Sequence, residues 1–568
     1  MRGSGLDLAL SLTVDGVAPP DTLALAWGAL MRSRSLVLDE MAARHRAVVA
    51  SRDTAVARAA GVWLERRQAF AHLLARGLGD DTPEAYRAAI ERARAASEEA
   101  ERALARSSRA FRSGQALART GLDEVRAALA PGEALVAYTR YRRRTAAPPG
   151  TAPAYAALVL RAGAGPRGVA LGAAASIDSL VQRWRELASR RLPERVGREL
   201  LEKQCRSAGE AVRQRIWDPV ATEVEDARRI YVVPDAALHL VNFDALPVGR
   251  AEFLIERPAV IHLLTAERDL VPGARSEVLG QGLLAMGDPD FDAAPAAASA
   301  AAGHGESQAT GGAAPPAVFR GDLSRCGDFG ALRWSRLPAS AQEVEDVVAT
   351  WRGRADSRGA TGSGTNALTG AGATEAAFKR LAPGRRVIHL ATHGFCVAGS
   401  CGSLLEGDAR TSRGRLGAAP GAGENPLLLS GLALAAANRR GAATPGEEDG
   451  VVTAEEVSAL DLNGVEWAVL SACETGVGEV RAGEGVFGLR RAFQVAGAGA
   501  LIMSLWPVDD AATRAWMKHL YEARLERHLS AADAVREASL AALRERRASG
   551  ASTHPFTWGA FVAAGAER

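Results

Sequence analysis

The sequence predicts an α/β protein with a mostly parallel sheet, preceded by an all-α helical region. From residue 131 onwards, short apolar runs that are typical of buried strands alternate with amphipathic segments that are typical of helices. Before that point, apolar residues recur only at helical spacing. Because strand, helix and strand repeat along the chain, we expect three layers, with helices on both faces of the sheet.

The helical region, residues 1–130, has Leu, Val, Ala and Phe at helical spacing, with Arg and Glu on the other faces. The predicted helices are 23–41, 42–75, 83–106 and 107–130. These segments show no clean period of about 34 residues, so a remnant of a TPR-like helical array is indicated only weakly. A helical bundle used for packing explains the pattern equally well, and both interpretations stay open.

Residues 131–290 form the first α/β segment, which begins where the pattern changes at Gly132. The predicted strands are 134–141, 155–161, 229–233 and 283–286, and the predicted helices are 177–189 and 194–217. Residues 289–320 are mostly Ala, Gly, Ser and Pro without periodicity, so we assign 291–325 to a disordered linker or surface loop.

Residues 326–568 form the second α/β segment. Besides a strand that begins at Trp467, the predicted strands are 386–392, 499–505 and 556–563, and the predicted helices are 340–351, 374–381, 484–496, 510–525 and 531–547. Thr374 is the expected N-cap of one helix, and Thr453 with Glu456 forms a capping box that predicts another short helix.

Composition excludes several classes of protein. With 47% hydrophobic residues, 24% charged residues and a net charge of +3, the chain of 568 residues indicates a multidomain globular protein without a surface devoted to nucleic acid. The five cysteines contain no CxxC pair and predict neither a disulfide framework nor a metal site. Only three of the 69 basic residues are Lys, which together with abundant Ala indicates a GC-rich bacterial genome.

The sequence contains no recognisable targeting segment. Its first 20 residues lack the apolar core of a signal peptide. No run approaches the roughly 18 apolar residues of a membrane span. We therefore expect a cytoplasmic protein in a reducing compartment, without a membrane partner, a cofactor or a metal.

Two apolar runs each end at a reactive side chain. The run from Val387 ends at His393, which Gly394 follows, and the run from Trp467 ends at Cys473. Neighbouring parallel strands that end in this way place the imidazole and the thiol at one edge of a sheet, where open α/β sheets have their sites. A thiol with a His within reach is the minimum requirement for cysteine nucleophilic catalysis.

Each reactive group has a candidate role. His393 can polarise a scissile carbonyl or give a proton to the leaving amine. The backbone N–H groups of Gly394 and Cys473 are the predicted oxyanion donors. His389 lies four residues before His393, inside the strand, and we predict a hydrogen-bonded core residue there. The chain has neither a GxSxG elbow nor a GxxxxGK[ST] loop, which excludes the common esterases and the P-loop nucleotide enzymes.

These segments resemble the caspase-like cysteine peptidases and, more closely, the CHAT domain, a bacterial caspase-like module often attached to TPR arrays. The similarity rests on the His-Gly pair and the Ser-Ala-Cys triplet behind their strands, and on further motifs at 233–235, 242–247, 391–395, 470–510 and 554–561. It covers roughly residues 130–566. The helical region is similar to the part that follows the TPR repeats in such proteins.

The resemblance implies a cysteine endopeptidase whose catalytic dyad is His393 and Cys473. It also implies two caspase-like halves, of which the first, residues 131–290, is inactive because it lacks such a pair. The dyad members are 80 residues apart in this sequence, whereas caspases have about 50 residues between them. Gly-rich stretches at 397–425 and 439–450 account for the insertion. They form either a loop that gates the site or surface loops whose extra length the fold tolerates.

Separase, a relative, implies an acidic S1 residue that binds a basic P1 side chain. By that comparison Asp510 is the first candidate and Asp509 the second, and Glu474 can also lie near the pocket. The position of Asp510 also fits the N-cap of a helix that starts at Ala511, and the two roles are compatible.

We therefore expect a cysteine endopeptidase that cleaves specific protein substrates after a basic residue. It is expected to stay latent until a protein partner binds the helical region or the loops move. The alternative is a catalytically silent caspase-like scaffold that binds protein partners, in which Cys473→Ala changes nothing. A role in bacterial defence or regulated cell death follows from family analogy alone.

Overall fold

The computed structural model describes residues 4–34, 58–59, 61–63, 65–66, 69–70, 73, 82–107, 120–145, 150–192, 197–271, 279–294, 332–357, 364–396, 426–443, 447–472, 475, 479–481 and 485–565. Several sequence predictions lie wholly or mostly outside these ranges. They are the helix at 42–75, the linker at 291–325, the loop at 397–425, and residues Cys473 and Glu474.

The described helices of the N-terminal region are α1 (Ser4–Val14), α2 (Pro20–Ser33), α3 (Pro83–Ser107) and α4 (Leu122–Ala128). Pro20 suits the first turn of α2, because the N–H that proline lacks would have no helical partner there. Trp27 and Leu30 of α2 are fully buried and pack with Leu135 and Leu158 of the central sheet. Helix α2 therefore covers one face of that sheet.

A sheet of eleven strands forms the centre of the molecule. In spatial order the strands are β3 (Arg167–Ala173), β2 (Gly150–Arg161), β1 (Glu133–Thr145), β4 (Arg229–Val233), β7 (Val260–Leu263), β18 (Phe561–Gly565), β17 (Ala500–Ser504), β14 (Trp467–Ser471), β10 (Val387–Ala391), β8 (Leu283–Pro289) and β9 (Thr365–Gly370). Seven neighbouring pairs are parallel and three are antiparallel. The predicted α/β class with a mostly parallel sheet is confirmed.

Side chains along β1 alternate between the two faces of the sheet and show what packs on each face. Leu135 and Ala137 face the cluster that contains α2. Val136 and Tyr138 point to the opposite face and pack in the cluster that contains Trp184 of the next helix. Helices therefore cover both faces of the sheet at these strands, as the three-layer prediction requires.

The helices that follow in the chain are α5 (Ala174–Ala188), α6 (Arg198–Ile216), α7 (Asp218–Ala221), α8 (Pro338–Ser357), α9 (Glu375–Leu381), α10 (Ala454–Val457), α11 (Leu489–Ala496), α12 (Asp510–Tyr521) and α13 (Ala531–Ala548). The predicted cap of α9 is confirmed, because the hydroxyl of Thr374 accepts a hydrogen bond from the N–H of Ala377 at 3.1 Å. The predicted capping box of α10 is also present, with Thr453 and Glu456 bonded to each other's backbone N–H groups.

Two parts of the chain share the sheet. They meet where β7 and β18 pair in parallel through Leu263 and Ala564. Strand β8 precedes the predicted domain boundary at residue 290, yet it pairs with β10 and β9 of the later part. The boundary itself stays a prediction, while the hydrogen bonds of β8 connect it to the later part.

Three small sheets lie outside the central one, and the sequence patterns do not predict them. They consist of β11 (His393–Cys396), β12 (Ser430–Ala433) and β13 (Val451–Thr453), of β15 (Glu479–Arg481) and β16 (Gly485–Phe487), and of β5 (Pro247–Val248) and β6 (Glu252–Phe253). The helix predicted at 484–496 is therefore wrong at its start, because β16 forms first and α11 begins at Leu489. Glycines at 485 and 488 weaken helix formation there.

Candidate active site

The candidate site lies beyond the carboxyl ends of two adjacent parallel strands. Strands β10 and β14 pair so that Ala391 is opposite Ser471. His393 lies two residues beyond Ala391, at the start of β11, and is 3% exposed. Buried strands with apolar neighbours on both sides hold this edge of the sheet, which is where α/β proteins have their sites.

Cys473 and Glu474 lie outside the residues that the structure describes, but the chain on either side of them is well held. Ala472 and Thr475 are buried. The carbonyl oxygen of Ala472 accepts a hydrogen bond from the Ser504 hydroxyl at 2.6 Å, and the Thr475 hydroxyl accepts one from the N–H of Ser504 at 3.2 Å. Ser504 of β17 therefore holds the residue before Cys473 and the residue after Glu474.

The ring of His393 has a defined orientation. Its Nε2 lies 2.7 Å from the carbonyl oxygen of Ser335. A carbonyl can only accept, so Nε2 carries a proton and donates it, and in the neutral ring Nδ1 is then the basic nitrogen. The ring centroid of Phe291 lies 5.2 Å from that of the imidazole. The backbone of residue 335 and an aromatic ring together fix the tautomer and the plane of this side chain.

Asp288 holds the segment that supplies this carbonyl. It lies near the end of β8, which neighbours β10, and is 6% exposed. Its Oδ1 accepts hydrogen bonds from Arg336 Nε at 2.8 Å and from the N–H of Leu337 at 2.9 Å, and its Oδ2 accepts from the Arg336 guanidinium at 2.5 Å. The bidentate ion pair fixes residues 336 and 337, and thereby the preceding carbonyl of Ser335.

Nothing in the sequence pattern singles out Asp288. The only available signal is a carboxylate that follows an apolar strand, and this signal is shared by many loop residues. Its partner, Arg336, is 48 residues away in the chain, across the predicted linker. The role of this pair follows only from the way in which the strands are ordered in the sheet.

The remaining predicted site residues occupy different positions. Gly394 lies in β11, opposite Leu432 of β12, and is buried. Its role as an oxyanion donor stays a prediction, as does that of the Cys473 N–H. Helix α12 begins at Asp510, and its N-cap is Asp509, whose Oδ1 accepts from the N–H of Ala512 at 3.0 Å.

The expected N-cap role of Asp510 is therefore wrong, because the helix begins one residue earlier than expected. The carboxylate of Asp510 is 4% exposed, and its Oδ2 accepts a hydrogen bond from the N–H of Ala339 at 2.9 Å, in the first turn of α8. A negative charge at this helix start is favourable, because the first N–H groups of a helix have no partner inside it. Asp510 thus joins α8 to α12 near the site.

His389 is a hydrogen-bonded core residue, as predicted. It is fully buried in β10, with Nε2 2.9 Å from Glu343 Oε1 and Nδ1 3.0 Å from the Tyr521 hydroxyl. Burial raises the pKa of Tyr521 well above its ordinary value, so this hydroxyl stays protonated. The network connects β10 to α8 and α12, and it fixes the strand that leads to the catalytic histidine candidate.

We expect Tyr521→Phe to lower the free energy of unfolding by about 1–3 kcal/mol, because a buried ring nitrogen loses its partner while the ring packing is kept. The ring centroids of His389 and Tyr521 are 5.5 Å apart. Urea unfolding measures the change. Tyr231→Phe is the control, since its half-buried hydroxyl lies at 3.1 Å from Glu133, and we expect a loss below about 0.5 kcal/mol there. Equal losses in the two variants would contradict the prediction.

Among the described residues, one cluster of carboxylates has the spacing of a metal site, namely Glu375, Glu448 and Glu456. The ammonium of Lys379 lies 2.7–2.8 Å from an oxygen of each of them. Burial disfavours the charge of Lys379, but the three carboxylates outweigh this effect and raise its pKa. The lysine therefore already supplies the positive charge that a metal would bring.

Several known proteins are similar to this chain in sequence or in fold. A family model for the CHAT domain matches residues 206–566. The human protein named Tetratricopeptide repeat protein 28 is 34% identical over 117 residues, and its mouse counterpart is 32% identical. The match covers 21% of this chain and 4% of the human protein, so this chain corresponds to a small fraction of that relative's length.

Solved structures with a related fold have low sequence identity. The separase–securin complex of Saccharomyces cerevisiae has a TM-score of 0.41 and 8% identity, over 80% of this chain and 31% of that chain. The Arg-specific cysteine proteinase gingipain R has a TM-score of 0.34 and 10% identity, over 69% of this chain and 74% of that chain. In the part of the chain that the structure describes, no helix combines the length and the apolar character needed to cross a membrane.

Proposed function

The chain belongs to the CHAT domain family, and from this premise we propose that it is a cysteine endopeptidase that cleaves specific protein substrates. The observation that carries the proposal is the register of β10 and β14. His393 follows Ala391 by two residues, and Cys473 follows its opposite residue, Ser471, by the same number. The two strands that lead to these residues therefore end at the same level of the sheet, next to each other.

The chemistry of the proposed dyad follows from the tautomer of His393. Nε2 is bound to the Ser335 carbonyl, so Nδ1 is the nitrogen that takes the thiol proton of Cys473. The sulfur attacks the carbonyl carbon, and the N–H groups of Gly394 and Cys473 bind the oxyanion. Collapse breaks the C–N bond, and Nδ1 returns the proton to the leaving amine. Water then hydrolyses the thioester and releases the acid and the free thiol.

A fluorogenic peptide library tests the proposal with the purified chain beside Cys473→Ala. Cys396→Ala is the matched control, since its thiol lies three residues beyond His393 and is partly exposed. Cys205 serves as an internal reference, because burial raises the pKa of its thiol to about 12 and makes it unreactive at neutral pH. We expect cleavage that survives in Cys396→Ala and is lost in Cys473→Ala.

A silent wild type requires a second measurement, with a thiol-reactive probe. Labelling of Cys473 that depends on His393 would support a latent peptidase. An absence of both cleavage and selective labelling would refute the proposal and leave a silent scaffold that binds protein partners.

For specificity we propose a basic P1 residue, bound by Asp510 as first candidate, with Asp509 and Glu474 as alternatives. The carboxylate of Asp510 is buried beyond the end of β17, the strand next to β14. A buried carboxylate makes strong, bidentate contacts with a guanidinium. Its hydrogen bond from the N–H of Ala339 holds the side chain in place.

Asp510→Asn should lower the preference for Arg over Gln at P1 by roughly 100-fold in kcat/KM, because the amide keeps an acceptor for Ala339 but loses the charge. Asp509→Asn is the matched control, since Asn caps a helix as well as Asp does. We expect no change in preference there. If Asp509→Asn is the variant that loses the preference, the second candidate is the S1 residue. If neither variant does, both aspartates are excluded, and the same measurement on Glu474→Gln decides whether the S1 assignment fails.

We also propose that the helical region keeps the peptidase latent until a protein partner binds. The segment 264–268, which follows β7, contacts both regions concerned. Arg268 donates hydrogen bonds to the carbonyl oxygens of Met31 and Arg34, at 3.1 and 2.9 Å. On its other side, Thr265 accepts a hydrogen bond from Gln494 of α11, at 2.5 Å. Helix α11 follows the segment that contains Cys473. A shift of α2 can therefore reach that segment through Arg268, Thr265 and Gln494.

The proposed setting is the cytoplasm of a bacterium, where a reducing environment keeps the thiol active. A switch in defence or in regulated cell death would use such a latent peptidase. The role in defence or cell death rests on the CHAT family alone.

A further inference from the structure

A cavity of about 320 Å³ lies between the two parts of the chain, with helix α6 and the hairpin of β5 and β6 on one side and helix α13 and the turn that precedes β18 on the other. This volume falls within the range of small-molecule sites. Four basic side chains line it, namely Lys203, Arg206, Arg250 and Arg547. Glu202 is the single acidic residue among the described lining residues, and it accepts a hydrogen bond from the Ser552 hydroxyl. The cavity shares no lining residue with the candidate active site.

Two of the basic groups lie close together, Arg206 half-buried and Arg547 exposed. Arg547 makes a bidentate ion pair with Glu256, at 2.5 and 2.9 Å. Arg206 donates instead to two neutral carbonyl oxygens, those of Gly249 at 3.3 Å and Glu252 at 3.1 Å. Burial and the neighbouring Arg547 lower the pKa of Arg206 from its usual value. Glu256 therefore neutralises Arg547, whereas both hydrogen-bond partners of Arg206 are uncharged.

The other two basic groups lie at the entrance. Lys203 precedes Arg206 by three residues on α6, so both side chains leave the same face of the helix. Arg250 follows Gly249, whose carbonyl binds Arg206. Lys203 and Arg250 are exposed, and in the described ranges neither makes an ion pair or a side-chain hydrogen bond. All four cations thus line one space, with Arg206 half-buried and the other three exposed.

The rest of the lining is apolar. Pro247 and Pro555 form part of the wall, and the ring of Phe253 lies under the Arg206 guanidinium, with 4.6 Å between the ring centroid and Cζ. Trp558 holds Phe253 from the side, with ring centroids 4.8 Å apart. Such a cation–π contact fixes the guanidinium in place and leaves its N–H groups directed along the ring plane.

We propose that this cavity binds a small organic diphosphate. Arginine guanidinium groups match phosphate oxygens, and lysine adds a point charge, so the three cations without an ion pair to a described residue, Lys203, Arg206 and Arg250, can hold the two phosphate groups. The apolar walls and the volume leave room for an organic moiety, which inorganic anions do not fill. The part of the chain expected to be catalytically inactive supplies α6 and the hairpin, and the later part supplies Arg547 and Pro555.

Isothermal titration calorimetry of the full chain tests this proposal, with ADP and inorganic pyrophosphate as probes at constant ionic strength. We expect both probes to bind, and ADP to bind more tightly because it fills the apolar part. Lys203→Ala/Arg250→Ala should weaken both by about tenfold or more, because two charge-assisted contacts are lost. Both side chains are exposed, so the double variant should fold.

Arg87→Ala/Arg92→Ala is the matched control, because it removes the same charge at two exposed positions outside the cavity lining. We expect its affinities to stay within about twofold of the wild type. An absence of binding to either probe at millimolar concentration would overturn the proposal. An equal loss of affinity in the two double variants would also overturn it, because it would indicate non-specific electrostatic attraction. Binding of pyrophosphate without binding of ADP would overturn the organic part of the ligand.

Discussion

Replacing His393 by alanine will lower kcat/KM for a cleavable peptide by roughly 10²–10⁴-fold, the usual contribution of a positioned acid–base group. In the proposed mechanism, the variant loses the nitrogen that takes the thiol proton and returns it to the leaving amine. Steady-state kinetics on the best library peptide measures this loss. His519→Ala is the control, because that ring is partly exposed on α12 and bonds Glu545 at 2.9 Å. A His393→Ala variant with activity within about threefold of the wild type would contradict the dyad.

The effect of the imidazole's position on catalysis can be tested without replacing His393 itself. Asp288→Ala removes the group that holds Arg336 and Leu337, so the Ser335 carbonyl is no longer fixed against Nε2. We expect kcat to fall roughly 10–100-fold with little change in KM, since a misplaced catalytic group affects the chemical step. Asp288→Asn keeps an oxygen for Leu337 and should recover part of the loss. Equal changes in kcat and KM, or no recovery, would indicate a merely structural role.

Replacing Glu267 by alanine will destabilise the docking of the helical region by roughly 3–5 kcal/mol, because it leaves a buried cation without its counterion. Glu267 is fully buried, and its Oε1 lies 3.1 Å from the Arg34 guanidinium and 3.0 Å from Trp27 Nε1. Arg34 is 2% exposed, so water cannot replace the lost carboxylate. Amide hydrogen exchange of residues 20–33 and urea unfolding measure the effect.

Glu186→Ala is the control for Glu267→Ala. Glu186 is exposed on α5 and pairs with Arg183 at 3.9 Å, so its loss should change stability by less than about 0.5 kcal/mol. Glu267→Met/Arg34→Met gives a second measurement if the single variant does not fold, since apolar residues of similar size replace a buried pair without leaving a charge. A double variant as unstable as the single one would contradict the argument from the uncompensated charge.

The two proposals about the helical region can then be separated. If α2 restrains the peptidase, Glu267→Ala should raise the activity of the purified chain or its labelling at Cys473. If α2 only completes the fold, the same variant should lose stability without any gain. Thr265→Ala, which removes the acceptor for Gln494, should give the same gain with a smaller loss of stability.

The local patterns of the sequence determined much of the fold. Strand β4 has the predicted bounds, 229–233, since a short apolar run between turn signals specifies a buried strand. The cap at Thr374 and the capping box at Thr453 were predicted because they depend on residues three positions apart. The same reasoning placed His393 behind a strand and His389 inside it, since side-chain position in a strand follows from its sequence.

Contacts between residues that are far apart in the sequence follow only from the tertiary structure. Asp288 meets Arg336 across 48 residues, and Glu267 meets Arg34 across more than 230, so no window of sequence contains either pair. Asp510 reaches Ala339 of another helix, and a shift of one residue in the helix start gave the cap to Asp509. The sequence by itself determined which residues carry reactive groups and which strands present them. Which groups orient these reactive side chains follows only from the tertiary structure. Buried charges and carbonyl groups form hydrogen bonds and ion pairs with whichever groups the packing brings within about 3 Å.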